Sequence, residues 1–204
     1  APGPVAPFHT PALRRAFDRL AGPALDARVW WNVPAPARRN ATFADILEDE
    51  PDSVSWHGEV QRDRILGMMS PVNRAKVEAA MRAGRRMVGG IYRRTRRDAA
   101  GQRIQRAEVR FDDIAGCLRT PAGGSSRQLI VVVDGPQVRT RLISARETAR
   151  LMGLDDSYRL PSNYNEAYHL TGDGVAVHVV RHLAEHLFEP LLGLGARARS
   201  RAAA

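Results

Sequence analysis

The sequence predicts a mixed α/β (α+β) fold with one β-hairpin and several short helices. Two strand-like segments joined by the turn Asp134-Gly135-Pro136 predict the hairpin, with residues 129–133 as a buried strand and residues 137–142 as its partner. Capping residues that precede apolar positions at helical spacing predict the helices. The chain has 204 residues, of which 44% are hydrophobic, and this suffices for one or two domains with a buried core.

Three helical segments are predicted in the first half of the chain. Thr10-Pro11 supplies an N-cap and a first-turn proline, so a helix of about three turns follows and ends before Gly22. Thr42 caps a short turn. Ser70-Pro71 opens a longer helix that extends to about Arg82.

Two further helices are predicted in the second half. Ser144 and Glu147 form a capping box that starts a helix ending near Met152. The last helix extends from residue 175 to about residue 188 and carries three histidines at intervals of four residues: His178, His182 and His186. This spacing invites a metal site. No carboxylate or cysteine is placed by the sequence to complete one, so a polar titratable face is the favoured interpretation and no metal is predicted.

The charge of the chain indicates a polyanionic partner. The formal net charge is +9, and Lys76 is the one lysine among 31 basic residues. Arginines concentrate between residues 85 and 110, and no acidic residue intervenes between Arg85 and Arg97. A solvated charged surface is the usual interpretation of such a run, but unscreened like charges repel one another, so nucleic acid is the favoured partner. The candidate contacts in this run are Arg94, Arg96 and Arg110.

Cysteine content and hydropathy bear on the compartment. A single cysteine, Cys117, excludes an internal disulfide and a zinc site made of four cysteines. The sequence has neither a run of roughly 18 apolar residues nor a signal-peptide pattern, so a soluble cytoplasmic protein without membrane contact is expected. Residues 1–7 are proline-rich and begin without methionine, which predicts an extended start and is typical of an excised or processed fragment. The Ala- and Arg-rich residues 194–204 are predicted to be disordered.

The loop formed by residues 119–128 is predicted to be a contact surface. It follows a strand-like apolar segment, residues 111–118, in which Cys117 is expected to be a small buried side chain. The arginines of the loop offer planar donors to phosphate or guanine, and its paired glycines allow a close backbone approach. An ordinary surface turn is the alternative. The candidate contacts in the loop are Arg119, Thr120, Gly123, Gly124, Ser125, Ser126, Arg127 and Gln128.

Three blocks of the sequence carry a family resemblance. In chain order they are DDIAGCLRTPAGGSSRQ, RTRLISARETARLMGLDDSYRLP and YNEAYHLTGDGVAVHVVRHLAEHL. Their order and spacing resemble the last part of a DNA (cytosine-5)-methyltransferase: the end of its target recognition domain, its ninth motif and its tenth motif. The resemblance implies that residues 1–165 form a recognition domain that binds duplex DNA. Residues 166–193 would be a C-terminal segment whose helix docks on a missing Rossmann-like methyltransferase domain.

The resemblance also implies roles for individual residues. The loop at 119–128 would face the DNA, while Arg146, Glu147 and Arg150 would form scaffold contacts inside the recognition domain. The turn before the tenth-motif helix would line the pocket for S-adenosylmethionine, although Asp173-Gly174 replaces the family's Asn-Ser and lacks the amide donor. The candidate cofactor contacts are Gly172, Asp173, Gly174 and Val175.

Three segments that carry the family's chemistry are missing from this sequence: the Pro-Cys turn with the nucleophile, the Glu-Asn-Val segment and the Phe-x-Gly-x-Gly turn. No catalytic residue is predicted, and the chain alone is expected to be inactive. The resemblance implies the DNA-recognition portion of a restriction-modification type methyltransferase whose catalytic centre lies in an N-terminal region or subunit. Two alternatives remain open: a stand-alone DNA-binding module or inactive remnant, and an Arg-rich module that binds RNA or an acidic protein.

Overall fold

The computed structural model describes residues 8–27, 29–37, 41–120 and 127–193. The chain separates into two compact units: a terminal unit, Ala1–Arg38 with His178–Ala204, and a central unit, Arg39–Val177. Within the described ranges, none of the helices has the length and apolar character needed to cross a membrane. The predicted extended start at 1–7 and the predicted disordered tail at 194–204 lie outside the described residues.

The central unit is built on a four-stranded antiparallel sheet with strand order β2-β1-β3-β4. The strands are β1 Met87–Arg97, β2 Arg103–Arg110, β3 Leu129–Asp134 and β4 Gln137–Leu142. The predicted hairpin is β3 with β4. Asp134 pairs with Gln137, and Gly135 in the turn has a φ of 53°, which glycine adopts without strain. The predicted mixed α/β fold is confirmed.

Strands β1 and β2 form a second hairpin, in a stretch where the sequence predicted only a run of basic residues. β3 pairs with β1 from Met87 to Ile91, so beyond Ile91 the strand β1 is paired only with β2 in the described chain. Residues 93–97 are therefore exposed on both faces. The alternation of apolar and polar residues that marks a half-buried strand is missing from them, and this explains why the pattern did not predict a strand. We call residues 92–97 and 103–108 the ribbon.

One face of the sheet is covered by helices α3 Glu59–Gly67 and α4 Pro71–Arg82. The core on this face contains Ile65, Met69, Val77, Ala80, Ile91, Ala107, Val109, Leu129, Val131 and Val133. Helix α4 has the predicted bounds, and Gly84 follows it with a φ of 65°. Helix α3 was not predicted because Ile65 is its one buried residue, so the sequence shows no apolar stripe there.

The opposite face carries helices α5 Ala145–Leu151 and α6 Tyr164–Asp173. Its core contains Phe43, Ile130, Val132, Ile143 and Tyr168. The capping box of α5 is confirmed, because Ser144 and Glu147 each accept a hydrogen bond from the other's backbone N–H.

Helix α6 was not predicted from the sequence. The side chain of Asn163 caps its start by accepting from the backbone N–H groups of Asn165 and Glu166. Gly172 and Asp173, which were predicted to lie in a turn, form the last turn of this helix. The predicted domain boundary between residues 165 and 166 falls inside it. Gly172 lies near the helix end, where a glycine resembles a turn signal in the sequence. This explains why a turn was predicted at a position that is helical.

The N-terminal part of the terminal unit contains α1 Pro11–Phe17 and α2 Pro23–Asp26. Its C-terminal part contains α7 Val177–Leu183 from the second residue on, a π-helical turn Ala184–Phe188 and α8 Glu189–Leu191. Thr10 caps α1 as predicted. The helix is shorter than predicted, and none of its residues is buried, so tertiary packing does not extend it. The helix predicted at 175–188 is present with different bounds: the chain is helical from Val177 to Leu191, and its middle part, Ala184–Phe188, is π-helical.

A buried ion pair fixes the position of α5 against the sheet. The side chains of Arg141 and Glu147 are both 0% exposed. Arg141 donates to the two carboxylate oxygens of Glu147 at 2.7 and 2.6 Å. The same carboxylate accepts from the backbone N–H groups of Ser144 at 2.7 Å and Glu48 at 2.8 Å. Each buried oxygen is thus provided with donors, as a buried charge requires.

Two half-buried arginines of α5 make contacts of the kind that the family resemblance implies. Arg150 binds Asp156 through two hydrogen bonds of 2.8 Å and the backbone oxygen of Ile46 at 3.0 Å. Arg146 donates to the backbone oxygens of Asp155 and Tyr158 at 3.3 and 3.0 Å. These contacts lie within the central unit, as the implied scaffold role of the two arginines requires.

The substitution Glu147→Gln is expected to lower the free energy of unfolding by roughly 3–5 kcal/mol, because it leaves the buried guanidinium of Arg141 without its counter-charge. Urea denaturation followed by circular dichroism measures the change. The matched control is Glu78→Gln on the exposed face of α4, which is expected to change the free energy by no more than about 0.5 kcal/mol. Equal effects of the two substitutions would contradict the assigned role of the pair.

Candidate nucleic-acid interface

Four arginines lie on one face of the β1–β2 hairpin. Strand register pairs Arg94 with Arg106 and Gly90 with Arg110, and Arg96 follows Arg94 by two residues. Residues that are paired or two apart in a sheet point to the same side. Gly90 also pairs with Ile130, so this is the face that carries α5 and α6. We call Arg94, Arg96, Arg106 and Arg110, with Tyr92 and Glu108 among them, the basic face.

Acidic residues outside β1 reach the basic face: Glu108 from strand β2 and Asp112 from the segment that follows β2. Glu108 lies within 3.2 Å of the Nε atom of Arg94 and also binds Arg96. Arg110 binds the carboxylate of Asp112. The expectation that the arginines of the run have no acidic partner was therefore wrong for Arg94 and Arg96, because the partner stands on the neighbouring strand. Four arginines face two carboxylates, and an excess of positive charge remains.

The segment between β2 and the loop differs from its prediction. Residues 111–120 have no strand, Ile114 is exposed, and Asp113 has a φ of 61°. The side chain of Asp113 accepts a hydrogen bond from the backbone N–H of Phe43. Cys117 is an exposed free cysteine, so the expectation that it is buried was wrong. The positive φ at Asp113 interrupts the extended backbone that a strand requires.

Tyr92 connects this segment to the basic face. Its ring occupies the space that a side chain at Gly116 would fill, so the segment crosses directly over the strand. Burial raises the pKa of Tyr92. The absence of a side chain at Gly116 therefore determines how closely residues 111–118 approach the sheet.

Both ends of the loop are attached to helix α6. A Cβ atom added at Gly172 would lie 3.1 Å from the backbone N of Thr120 and 3.2 Å from the backbone carbon of Arg119. At the other end, the Arg127 guanidinium donates to the side-chain oxygen of Asn165 and lies 5.5 Å from the ring centroid of Tyr164. The helix thus holds both sides of the loop. Gly123, Gly124, Ser125 and Ser126 lie outside the described residues.

The remaining candidate contacts differ in exposure. Arg119 is exposed. Gln128 is 3% exposed, and its side-chain amide has no hydrogen-bond partner in the part of the chain that the structure describes. Gln128 therefore departs from its prediction as a surface contact, because it enters the sheet one residue before β3.

The candidate cofactor contacts divide into two groups. Asp173, Gly174 and Val175 are exposed at the C-terminal end of α6. Gly172 instead faces the backbone of the loop. An exposed carboxylate beside the free carbonyl groups of a helix end offers hydrogen-bond acceptors and negative potential, which suit a cationic ligand with donor groups.

The predicted histidine stripe is only partly assembled. The rings of His182 and His186 lie 4.6 Å apart, and the Nε2 atom of His182 is 2.9 Å from the backbone oxygen of Pro34. Across the described ranges, no group of three or more His, Cys, Asp or Glu residues is placed to hold a metal ion.

His57 lies outside the basic face, beside strand β4. Its backbone N–H donates to the carbonyl of Thr140 at 2.9 Å, and its Nδ1 atom is 3.0 Å from the hydroxyl of the same residue. Burial and then the positive charge of Arg93 lower the pKa of His57 below its usual value of 6.5. His57 was not predicted as a functional residue, because nothing in its sequence neighbours marks it as half-buried.

Comparison with known families gives one finding. The family model described as C-5 cytosine-specific DNA methylase matches residues 32–189. No curated protein matches the chain significantly. The matched range contains the whole sheet, helices α3 to α6 and the basic face.

The folded protein is expected to lose stability through His57 as the pH falls. Because its pKa is lowered on folding, its contribution is present above the unfolded pKa of about 6.5 and is lost as the pH falls through the folded pKa. The variant His57→Gln retains a partner for Thr140 but does not titrate. Its melting temperature should fall less than that of the wild type between about pH 7.5 and about pH 5.5. Identical decreases in thermal melts would show that His57 does not contribute.

Proposed function

Because the chain belongs to the C-5 cytosine-specific DNA methylase family, we propose that it is the portion of a DNA (cytosine-5)-methyltransferase that recognises duplex DNA. The complete enzyme transfers a methyl group from S-adenosylmethionine to C5 of cytosine. The catalytic centre is supplied by an N-terminal methyltransferase region or subunit. The missing Pro-Cys, Glu-Asn-Val and Phe-x-Gly-x-Gly segments support this division of the enzyme.

The observation that carries the proposal is that the basic face and the attached ends of the loop lie on the same side of the sheet. Tyr92 of the basic face contacts Gly116 of the segment that leads into the loop. On the other side of the loop, Gln128 lies beside Gly90, where an added Cβ atom would be 3.0 Å from its side-chain nitrogen. A duplex bound on this side would meet both elements.

The two elements suit different parts of a duplex. Arg94 and Arg96 of the ribbon follow a strand direction and are exposed, which suits a row of phosphates and gives position without reading sequence. Arg119 and Arg127 border a loop of small and hydroxyl residues, which suits the edges of bases. Contacts of both kinds would compensate the free energy of extruding the target cytosine from the stack.

S-adenosylmethionine, when bound, supplies the methyl group. Asp173, Gly174 and Val175 would contribute to holding it, since the acceptors at the end of α6 fit its ammonium and sulfonium charges. Gly172 is not assigned to the cofactor, because its neighbour is the loop backbone. The role of these residues is to orient the ligand, and no proton transfer is assigned to them.

The terminal unit offers a surface for the catalytic region. Exposed apolar side chains follow one another in its C-terminal helical part: Val179, Val180, Phe188, Leu191 and Leu192. Contiguous apolar exposure of this kind marks an interaction surface. We assign it to docking on the N-terminal methyltransferase region.

Methyl transfer tests the proposal directly. Labelled S-adenosylmethionine and mixed-sequence duplex DNA are incubated with this chain, with a catalytic region that carries the three missing segments, and with both. Activity is expected only in the mixture, because each part lacks what the other supplies. Activity from this chain alone, or full activity from the catalytic region alone, would contradict the division of roles.

Arginine variants are expected to separate the two elements. Arg94→Gln and Arg96→Gln should each weaken binding to all duplexes alike and reduce the salt slope of log K by about 0.9. Arg119→Gln and Arg127→Gln should change the preference among sequences by roughly 1–3 kcal/mol.

Fluorescence anisotropy on a panel of duplexes at several salt concentrations measures both effects. The matched control is Arg74→Gln, an exposed arginine of α4 on the other side of the sheet, which should leave binding nearly unchanged. If all four variants weaken every duplex equally, the two elements do not have separate roles.

A further inference from the structure

Glu108 is the one carboxylate that stands within the row of ribbon arginines on the basic face. It lies opposite Tyr92 on the neighbouring strand. One of its oxygens is 3.2 Å from the Nε atom of Arg94, and the other accepts from the guanidinium of Arg96. Two arginines thus share a single carboxylate, with one oxygen for each.

Both arginines reach along the ribbon toward this carboxylate. Arg94 is paired with Arg106, two residues from Glu108, and Arg96 is paired with Ile104, four residues from it. The two guanidinium groups are therefore drawn together beside one negative charge, although their backbone positions are spaced along the strand.

The pairing is accessible to competing anions. The side chains of Arg94 and Arg96 are 56% and 48% exposed, and that of Glu108 is 32% exposed. Ion pairs with this exposure contribute little to stability, so the arginines can change partner at small cost. A phosphate, like a carboxylate, presents several oxygens to a guanidinium fork.

We propose that Glu108 is an internal competitor for DNA phosphate, and that Arg94 and Arg96 exchange its carboxylate for phosphate oxygens when a duplex binds. This inference rests on the proposed function. The exchange leaves the charge of Glu108 beside the DNA backbone and lowers the affinity for any duplex. This loss is the same for every duplex, so the contacts of the loop alone set the preference among sequences, and only a duplex that they also stabilise is held tightly.

Arg110 and Asp112 provide an internal comparison. Asp112 receives two hydrogen bonds from the Nε atom of Arg110, at 3.2 and 3.0 Å, and a further one from a terminal nitrogen. This pair is one arginine with one carboxylate, two residues apart in sequence. At Glu108 two arginines share one carboxylate, so the exchange there makes two guanidinium groups available to phosphate, whereas Arg110 would supply one.

The first test is the variant Glu108→Gln, with duplex binding measured across a range of salt concentrations. Removing the competing charge is expected to tighten binding by roughly tenfold at about 0.1 M salt and to steepen the salt slope by about 0.9. The ratios of affinity among duplexes are expected to stay unchanged, because the competing charge acts on every duplex alike. The control Glu78→Gln makes the same charge change on α4, which packs on the other face of the sheet, and should alter neither the affinity nor the slope.

A cycle of variants locates the effect. In a background of Arg94→Gln with Arg96→Gln, the substitution Glu108→Gln should tighten binding much less and should no longer steepen the slope, because only the repulsion between the carboxylate and the phosphates remains. An undiminished effect of Glu108→Gln in that background would overturn the exchange, because the arginines would then not be involved.

A measurement on the unaltered chain keeps the inference testable if Glu108→Gln fails to fold. The carboxylate carbon of Glu108 is followed by nuclear magnetic resonance while duplex DNA is added. Its signal is expected to move toward that of an unpaired carboxylate, and an unchanged signal at saturation would overturn the exchange. The proposed function fails separately: it is overturned if the unaltered chain does not bind duplex DNA at all.

Discussion

The buried pair of Arg141 and Glu147 is the interaction on which the central unit depends. The two oxygens of Glu147 receive hydrogen bonds from β4, from the N-terminus of α5 and from the backbone of Glu48. Three parts of the chain are therefore held by one carboxylate. A charge removed from water in this way is tolerated only when its partners are all in place, so the pair specifies one arrangement of strand, helix and segment.

The same constraint extends to the candidate interface through α6. Thr148 of α5 and Thr171 of α6 are both buried, and their hydroxyl oxygens are 3.0 Å apart. Gly172 follows Thr171 and contacts the backbone of the loop. The path from the ion pair to the loop therefore runs through two packed helices. A residue far from the candidate interface can in this way determine where the loop begins.

Local signals in the sequence were sufficient to predict some of the secondary-structure elements. The apolar run of β3, the turn at Gly135, the capping box of α5 and the proline at the start of α4 all act within a few residues. Elements whose stability comes from distant partners were missed. Residues 93–97 of the ribbon are exposed on both faces and show no alternation, and α6 carries Gly172 in its last turn, against the backbone of Thr120, which is remote in sequence.

In the candidate site too, features marked by local composition were predicted, and contacts between distant residues were missed. Three arginines of the basic face, Arg94, Arg96 and Arg110, were identified from composition, because excess charge is visible without any structure; Arg106 was not singled out. The acidic partner of Arg94 was missed, since a strand register brings Glu108 to it from fourteen residues away. The exposure of Cys117 and the burial of Gln128 also follow from how the chain crosses the sheet, and neither can be read from residue type.

The attachment of both ends of the loop to α6 has a consequence for how this fold can diversify. Arg119-Thr120 rests on Gly172, and Arg127 is held by Asn165. Because both attachments lie outside residues 121–126, substitutions or changes of length between them are expected to leave the two cores of the sheet intact. Under the proposed function, libraries confined to this segment would then select new sequence preferences on an unchanged scaffold.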